Sequence, residues 1–251
     1  MSKLRFRAGS GALWLVVVCI VMLQTASAQV APTQDPFGLQ RANLMQAADK
    51  ALADALADRP WMKIAASTLQ PAANEPGQRL NTAVQRVQQL RPVVEPILSG
   101  EGVPPQLIAV ALVESGGQAM ALSPKGARGV WQFMPDTARR YGLDVSGERD
   151  ERLELAKATR AAARYLRDLY QQFGDWELTF AAYNAGEQAV QRAMNRSGQR
   201  GYSAVQRFLP EETRNYVPAV VEAMRRFGGV PRGTTGSSTQ KVLYAAAASG
   251  D

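Results

Sequence analysis

The chain has 251 residues, 46% of them hydrophobic, with 29 Lys and Arg against 22 Asp and Glu, one cysteine and no histidine. That length allows one or two domains and a sizeable core, and the lack of histidine excludes Ser-His-Asp and Cys-His nucleophilic sites and any metal site that needs imidazole. Any chemistry falls to carboxylates, hydroxyls and amides, while the net charge of +7 suits an acidic polymer, an anionic surface or nucleic acid without choosing among them.

Lys3, Arg5 and Arg7 precede an apolar run over residues 12–23, and Ala26-Ser27-Ala28 offers a small-x-small cleavage site. Residues 1–28 therefore read as a secretory signal peptide. The competing reading, an uncleaved anchor, is disfavoured because the run is short for a bilayer. Val16, Val17 and Val18 before Cys19 do not suit a lipoprotein cleavage site. Loss of three basic residues would take the charge from +7 to +4 and leave no thiol, so that stability must come from packing.

Residues 29–36 are a polar lead-in. Met45, Ala48, Leu52 and Leu56 recur at helical spacing until Pro60, and residues 71–77 read as a loop. Leu80, Val84 and Val87 share a second helical stripe, which Pro92 and Pro96 are expected to break or restart before Gly100. These N-terminal helices read as packing elements or groove walls.

Residues 107–113 are all apolar, so a helix here is greasy on every side and belongs in a core. It starts after Pro104-Pro105 and ends at Gly116-Gly117. Glu114 sits at that end, the sole ionisable residue between Glu101 and Lys125. The partial negative charge of a helix C-terminus and the desolvation of a neighbouring core both favour its protonated form. A carboxyl group still protonated near neutral pH can donate to a leaving oxygen, as in glycosidic cleavage. Spacing alone leaves open a second reading, a Glu that frays into water.

The turn over residues 123–129 carries Gly126 and Gly129, which permit positive φ, and Pro135-Asp136 starts a helix that closes at Gly142. Residues 144–152 read as a charged connector. A long helix runs from about 153 to 173, and Asp175 caps the next, which carries Trp176, Phe180 and Tyr183 before Asn184 and Gly186 interrupt it. Residues 187–194 form a short helix, and 199–208 show no clear period. The last helix starts at Pro210, with Pro218 expected to kink or restart it, and Gly228-Gly229 stops it. Residues 233–240 are a Gly, Ser and Thr linker. The Lys and Arg residues are scattered and read mostly as solvated faces, with no nucleic-acid motif.

Glu114-Ser115, then residues 123–135 ending Val130-Trp131-Gln132-Phe133-Met134-Pro135, then Ala182-Tyr183-Asn184-Ala185-Gly186, then Glu212-Thr213-Arg214-Asn215-Tyr216-Val217-Pro218 resemble the four ordered motifs of the soluble lytic transglycosylase (SLT) domain. Trp131 makes the pattern most similar to the membrane-bound lytic transglycosylase D branch, and the likeness covers roughly residues 80–227. It implies a mainly α, goose-lysozyme-like fold with additional N-terminal helices, and a layout of signal peptide 1–28, helical segment 29–77, catalytic domain 78–229 and tail 230–251. It further implies a periplasmic monomer that cleaves the β-1,4 bond between N-acetylmuramic acid and N-acetylglucosamine in peptidoglycan glycan strands, leaving 1,6-anhydromuramoyl ends. Neither metal nor organic cofactor is implied, nucleic acid is not a partner, and a cell-envelope machine as partner is left open.

By the same resemblance Glu114 is the single acid and base. Ser115 and Ser123 hold the catalytic loop or the substrate's acetamido group, Gln132 is a pocket amide, Tyr183 and Asn184 contact the sugar, and Tyr216 lies near Glu114. Two departures stand out: no LysM repeat follows residue 229, and Gly116-Gly117 replaces bulkier residues, which implies a looser loop. Two alternatives remain at this stage. One is a goose-type lysozyme in which Asp136, Asp144 or Asp150 orients a water, and the other is an inactive glycan-binding scaffold.

Overall fold

The computed structural model describes residues 36–59 and 76–229, which include helices over the expected stretches. Residues 1–35, with the expected signal peptide over 1–28, the segment 60–75 and the tail beyond 229 lie outside the described residues. Two compact units are distinguished, Met1–Leu44 and Met45–Asp251, and every element described below belongs to the second from residue 45 onward.

In chain order the helices are α1 (Pro36–Leu56), α2 (Pro76–Gly100), α3 (Ile108–Ser115), α4 (Pro135–Arg140), α5 (Leu155–Phe173), α6 (Trp176–Ala185), α7 (Glu187–Ser197), α8 (Tyr202–Val205) and α9 (Glu211–Arg226). The fold is built around α3. Every residue from Ile108 to Val113 is fully buried, as an all-apolar helix requires, and α2 and α9 pack against it. Farther out, α6 packs on both α5 and α9, and α2 also lies along α5. Ala158, Ala162, Leu166, Leu169 and Phe173 form the buried stripe of α5. Glu101, just past α2, receives Arg160, Arg164 and Arg167 of α5 at 3.3, 3.1 and 3.5 Å.

The prolines depart from expectation. Pro92 and Pro96 lie inside one continuous helix rather than breaking it, and Pro218 likewise lies within α9. All three face solvent, so the carbonyls that lose a partner can be hydrated. On the opposite faces Val94, Leu98, Val217 and Val220 are buried, and their packing carries the helix through. Residues 199–208 hold α8 and a 3₁₀ turn, Gln206–Phe208, both too short to show a period.

The charged connector is also more ordered than its sequence suggests. It folds into a two-stranded hairpin, β1 (Val145–Ser146) and β2 (Arg149–Asp150), with Val145 opposite Asp150, followed by a 3₁₀ turn at Glu151–Leu153. Helix ends follow the sequence signals closely. Asp175 accepts a hydrogen bond from Leu178 N–H at 2.9 Å, and Gly174 turns the chain at φ 69° after α5.

Candidate active site

Glu114 occupies the last turn of α3, which ends where Gly116 adopts φ 61° and donates its N–H to Leu112 O at 2.9 Å. Gly117, at φ 73°, runs tight against α2: a Cβ there would sit 3.0 Å from Val87 Cγ2 and 3.1 Å from Arg86 Cβ. The looser loop expected of the Gly-Gly pair is therefore corrected. These glycines allow a close approach of loop to helix that bulkier residues would prevent.

Ser115, buried beside Glu114, donates to Val130 O at 2.8 Å and ties the end of α3 to the glycine-rich segment. That segment is folded on itself. Ser123 Oγ accepts from Ala127 N–H at 2.9 Å, Arg128 bridges Leu122 on one side and Phe133 on the other, and Gln132 holds φ 49°. Its amide nitrogen donates to Gly129 O at 2.8 Å, a local bond of the kind that offsets a strained backbone. Trp131 is fully buried and donates to Thr159 Oγ1 at 3.0 Å.

A buried arginine braces the loop from behind. The Arg152 side chain is 6% exposed, donates from one terminal nitrogen to Gly126 O at 2.9 Å and Phe133 O at 3.0 Å, and forms a fork with Asp150 at 2.8 and 2.7 Å. Asp150 also accepts from Arg128 at 2.8 Å. Hydrogen bonds from Arg152 hold the Asp150 carboxyl well below the usual carboxylate range. Gly129 lies so close to this strut that a Cβ would fall 2.0 Å from Arg152 O.

Across from the loop, α6 and α9 complete the walls. Tyr183 donates to Trp131 O at 2.8 Å, and Asn184 Oδ1 accepts from the buried Thr213 hydroxyl at 2.8 Å, joining α6 to α9. Tyr216 is 1% exposed. Its hydroxyl lies near enough to Glu114 to favour the anion, yet makes no hydrogen bond in ordinary geometry among the described residues.

Two residues at Glu114 were not singled out from sequence. Arg59, just after α1, places its guanidinium 3.3 Å from Glu114 Oε2 and donates from Nε to Val113 O at 2.9 Å. Its side chain is 11% exposed, and the guanidinium lies over the Tyr216 ring, 4.9 Å from the centroid. Arg59 and Arg152 are thus buried exceptions among cations read mostly as solvated faces. The second residue is Glu212, exposed at the start of α9, 4.0 Å from Arg59 and 3.6 Å from Lys125.

The balance of these groups sets the proton on Glu114. Desolvation is the largest influence and raises its pKa above the ordinary value of 4.5; the Arg59 charge and the Tyr216 hydroxyl pull it down, Glu212 pushes it up, and the net direction is upward. Of the three aspartates considered for a lysozyme-type site, Asp150 is held by Arg152, Asp136 pairs with Arg139 at 2.9 Å, and Asp144 accepts from Ser146 N–H at 3.0 Å. None of them acts on Glu114, whereas Glu212 does.

Fold and site together define a lysozyme-like helical domain organised around one buried carboxyl group. Residues 95–206 match the family model of the transglycosylase SLT domain. Among curated relatives, the membrane-bound lytic murein transglycosylase D of Escherichia coli (strain K12) is 38% identical over 122 residues, covering 47% of this chain and 27% of the relative. The soluble lytic murein transglycosylase of the same strain is 31% identical over 131 residues, 49% of this chain and 20% of the relative. This chain therefore spans about a quarter of these relatives or less. Among solved structures, the 70-kDa soluble lytic transglycosylase from Escherichia coli superposes with a TM-score of 0.51 at 21% identity, covering 80% of this chain and 46% of that one. That similarity speaks to the fold.

Proposed function

We propose that this chain is a peptidoglycan lytic transglycosylase in which Glu114 serves as both acid and base, and that it works in the periplasm after loss of residues 1–28. The catalytic unit runs from 78 to 229, with Ser115, Ser123, Gln132, Tyr183, Asn184 and Tyr216 shaping the groove for glycan strands. One observation carries the reading: Glu114 is a buried carboxyl group whose desolvation pushes its pKa above the ordinary value, within a segment matched to the SLT domain. The names of the relatives, which are murein transglycosylases, support the substrate class.

In this mechanism Glu114 gives its proton to the glycosidic oxygen, and the muramoyl acetamido group stabilises the anomeric cation. The resulting carboxylate takes the proton of the sugar's own C6 hydroxyl, whose oxygen attacks the anomeric carbon. Bond cleavage and ring closure balance without water. Holding the hydroxyl beside its target supplies the proximity a separate nucleophile would otherwise provide. Glycosidases of the usual two-carboxyl type would place a second acid here, and Glu212 is a candidate. Its influence on Glu114 favours, as a second reading, hydrolysis with Glu212 orienting a water.

Digestion of purified sacculi by the parent and by Glu114→Gln, followed by mass spectrometry, separates the readings. Transglycosylation yields muropeptides one water lighter than hydrolysis does, and only from the parent. Reducing ends from the parent establish the lysozyme reading. A Glu114→Gln variant as active as the parent removes Glu114 from the chemistry.

A further inference from the structure

We infer that Arg59 is a positioning residue for the acid and base chemistry of Glu114, fixing which carboxyl oxygen carries the proton and supporting the anion left after donation. The inference rests on the transglycosylase reading and deepens it. Arg59 lies outside the segment matched to the family, residues 95–206, so it is a contribution of the preceding segment.

The geometry commits most of the guanidinium. After α1 ends, Arg59 N–H bonds back to Leu56 O at 2.9 Å, and this turn sends the side chain inward. Nε caps Val113 O at 2.9 Å, one of the terminal carbonyls a helix cannot satisfy internally. One terminal nitrogen reaches Glu114 Oε2 at 3.3 Å, the other faces Glu212 at 4.0 Å, and the plane covers the Tyr216 ring. A mere helix cap needs only the first contact. The contact with Glu114 is to a single oxygen, Oε2, which as an acceptor from a cation favours the proton on Oε1.

That asymmetry matters for a group that must first give a proton and then take one. Burial favours the acid, but the anion formed in the same dry site needs support from a fixed positive charge. Among the groups acting on Glu114, Arg59 supplies that charge. Tyr216 and Glu212 face it from α9, and Tyr183 of α6 is electrostatically coupled to it. Lys125 of the loop faces Glu212.

The test compares Arg59→Gln and Arg59→Lys with the parent. Glu114 is titrated by carbon NMR with labelled glutamate, its resonance assigned by its loss in Glu114→Gln, and turnover of a soluble glycan is followed against pH. Without the positive charge Glu114 holds its proton to higher pH. The titration and the alkaline limb of kcat/KM therefore both move upward in Arg59→Gln, kcat falls by about tenfold or more and KM stays within about twofold. Arg59→Lys returns the titration and the limb to the parent's position. An Arg59→Gln variant that melts like the parent and titrates at the parent's pH overturns the inference. If Arg59→Gln does not fold, Arg59→Lys decides: a parental titration with kcat within about threefold supports the role, and a displaced titration or a larger loss overturns it. The titration is independent of product identity, so reducing-end products would refute the transglycosylase reading and leave this measurement standing.

Discussion

Replacing Glu114 by Gln should make the protein more stable, and increasingly so as the pH rises. Because burial raises the pKa of Glu114 in the folded state above its ordinary value of 4.5, the folded chain binds this proton more tightly than the unfolded chain. The stability of the parent is then fully present below about pH 4.5 and falls as pH rises through the folded value. Within that window the slope is bounded at about 1.4 kcal/mol per pH unit, the cost of one proton. For a domain of this size that corresponds to about 3–5 °C in Tm per pH unit. Glutamine has no proton to lose, and its amide oxygen can still accept from Arg59, so any change in that contact adds an offset that does not vary with pH. Thermal melts of the parent and Glu114→Gln from pH 4 to pH 8 should give a Tm difference that grows with pH and then levels off. A difference that stays flat, or that shrinks as pH rises, would refute the claim that desolvation controls this carboxyl group.

Three further substitutions test the remainder of the site. Gly129→Ala places a Cβ where 2.0 Å separates it from Arg152 O, at a backbone φ of 80°, and should cost at least about 3 kcal/mol in urea denaturation. Asp150→Asn leaves the buried Arg152 guanidinium without its charge partner and should cost about 3–5 kcal/mol at neutral pH. Because the folded-state pKa of Asp150 is depressed, that penalty should shrink as pH falls below the ordinary aspartate value of 3.8. Tyr216→Phe removes a buried hydroxyl that has no partner among the described residues. It should melt no lower than the parent while turnover drops about a hundredfold, and unchanged turnover would show that the hydroxyl has no part in the reaction.

What could be read from the sequence was local. The run of residues 107–113 announced a buried helix by composition alone, and Gly116, Gly174 and Asp175 marked helix ends because left-handed turns and capping oxygens are properties of single residues. The prolines misled, because whether Pro92, Pro96 or Pro218 breaks a helix depends on which face it occupies, and that is fixed by partners elsewhere. Arg59 was invisible for a stronger reason. It lies 55 residues before Glu114, and nothing in its neighbourhood distinguishes a cation bound for the interior from a solvated one. The signal that could have raised it is indirect: a carboxyl group at the end of an all-apolar helix requires a partner, and the motif segments at 114–115 and 123–135 offer Lys125 and Arg128 as cations. Lys125 is 82% exposed and pairs with Glu212, and Arg128 is committed to Asp150, so the partner had to come from outside the motifs. Glu212 was hidden in another way, since an acid in the first turn of a helix is ordinary dipole complementarity.

The site also explains why its supports are so heavily bonded. A protonatable carboxyl group in a core destabilises the fold whenever it ionises, and a loop with Gln132 at positive φ adds strain. The offsetting contacts lie in Arg152, whose guanidinium joins both ends of the loop to the hairpin, and in Ser115, which fixes that loop to α3. Neither needs to touch a sugar to matter. If they hold Glu114 and Gln132 in register, their loss should show first as a lower Tm and as slower turnover with little change in KM, because a misplaced acid is a defect of the transition state rather than of ground-state binding.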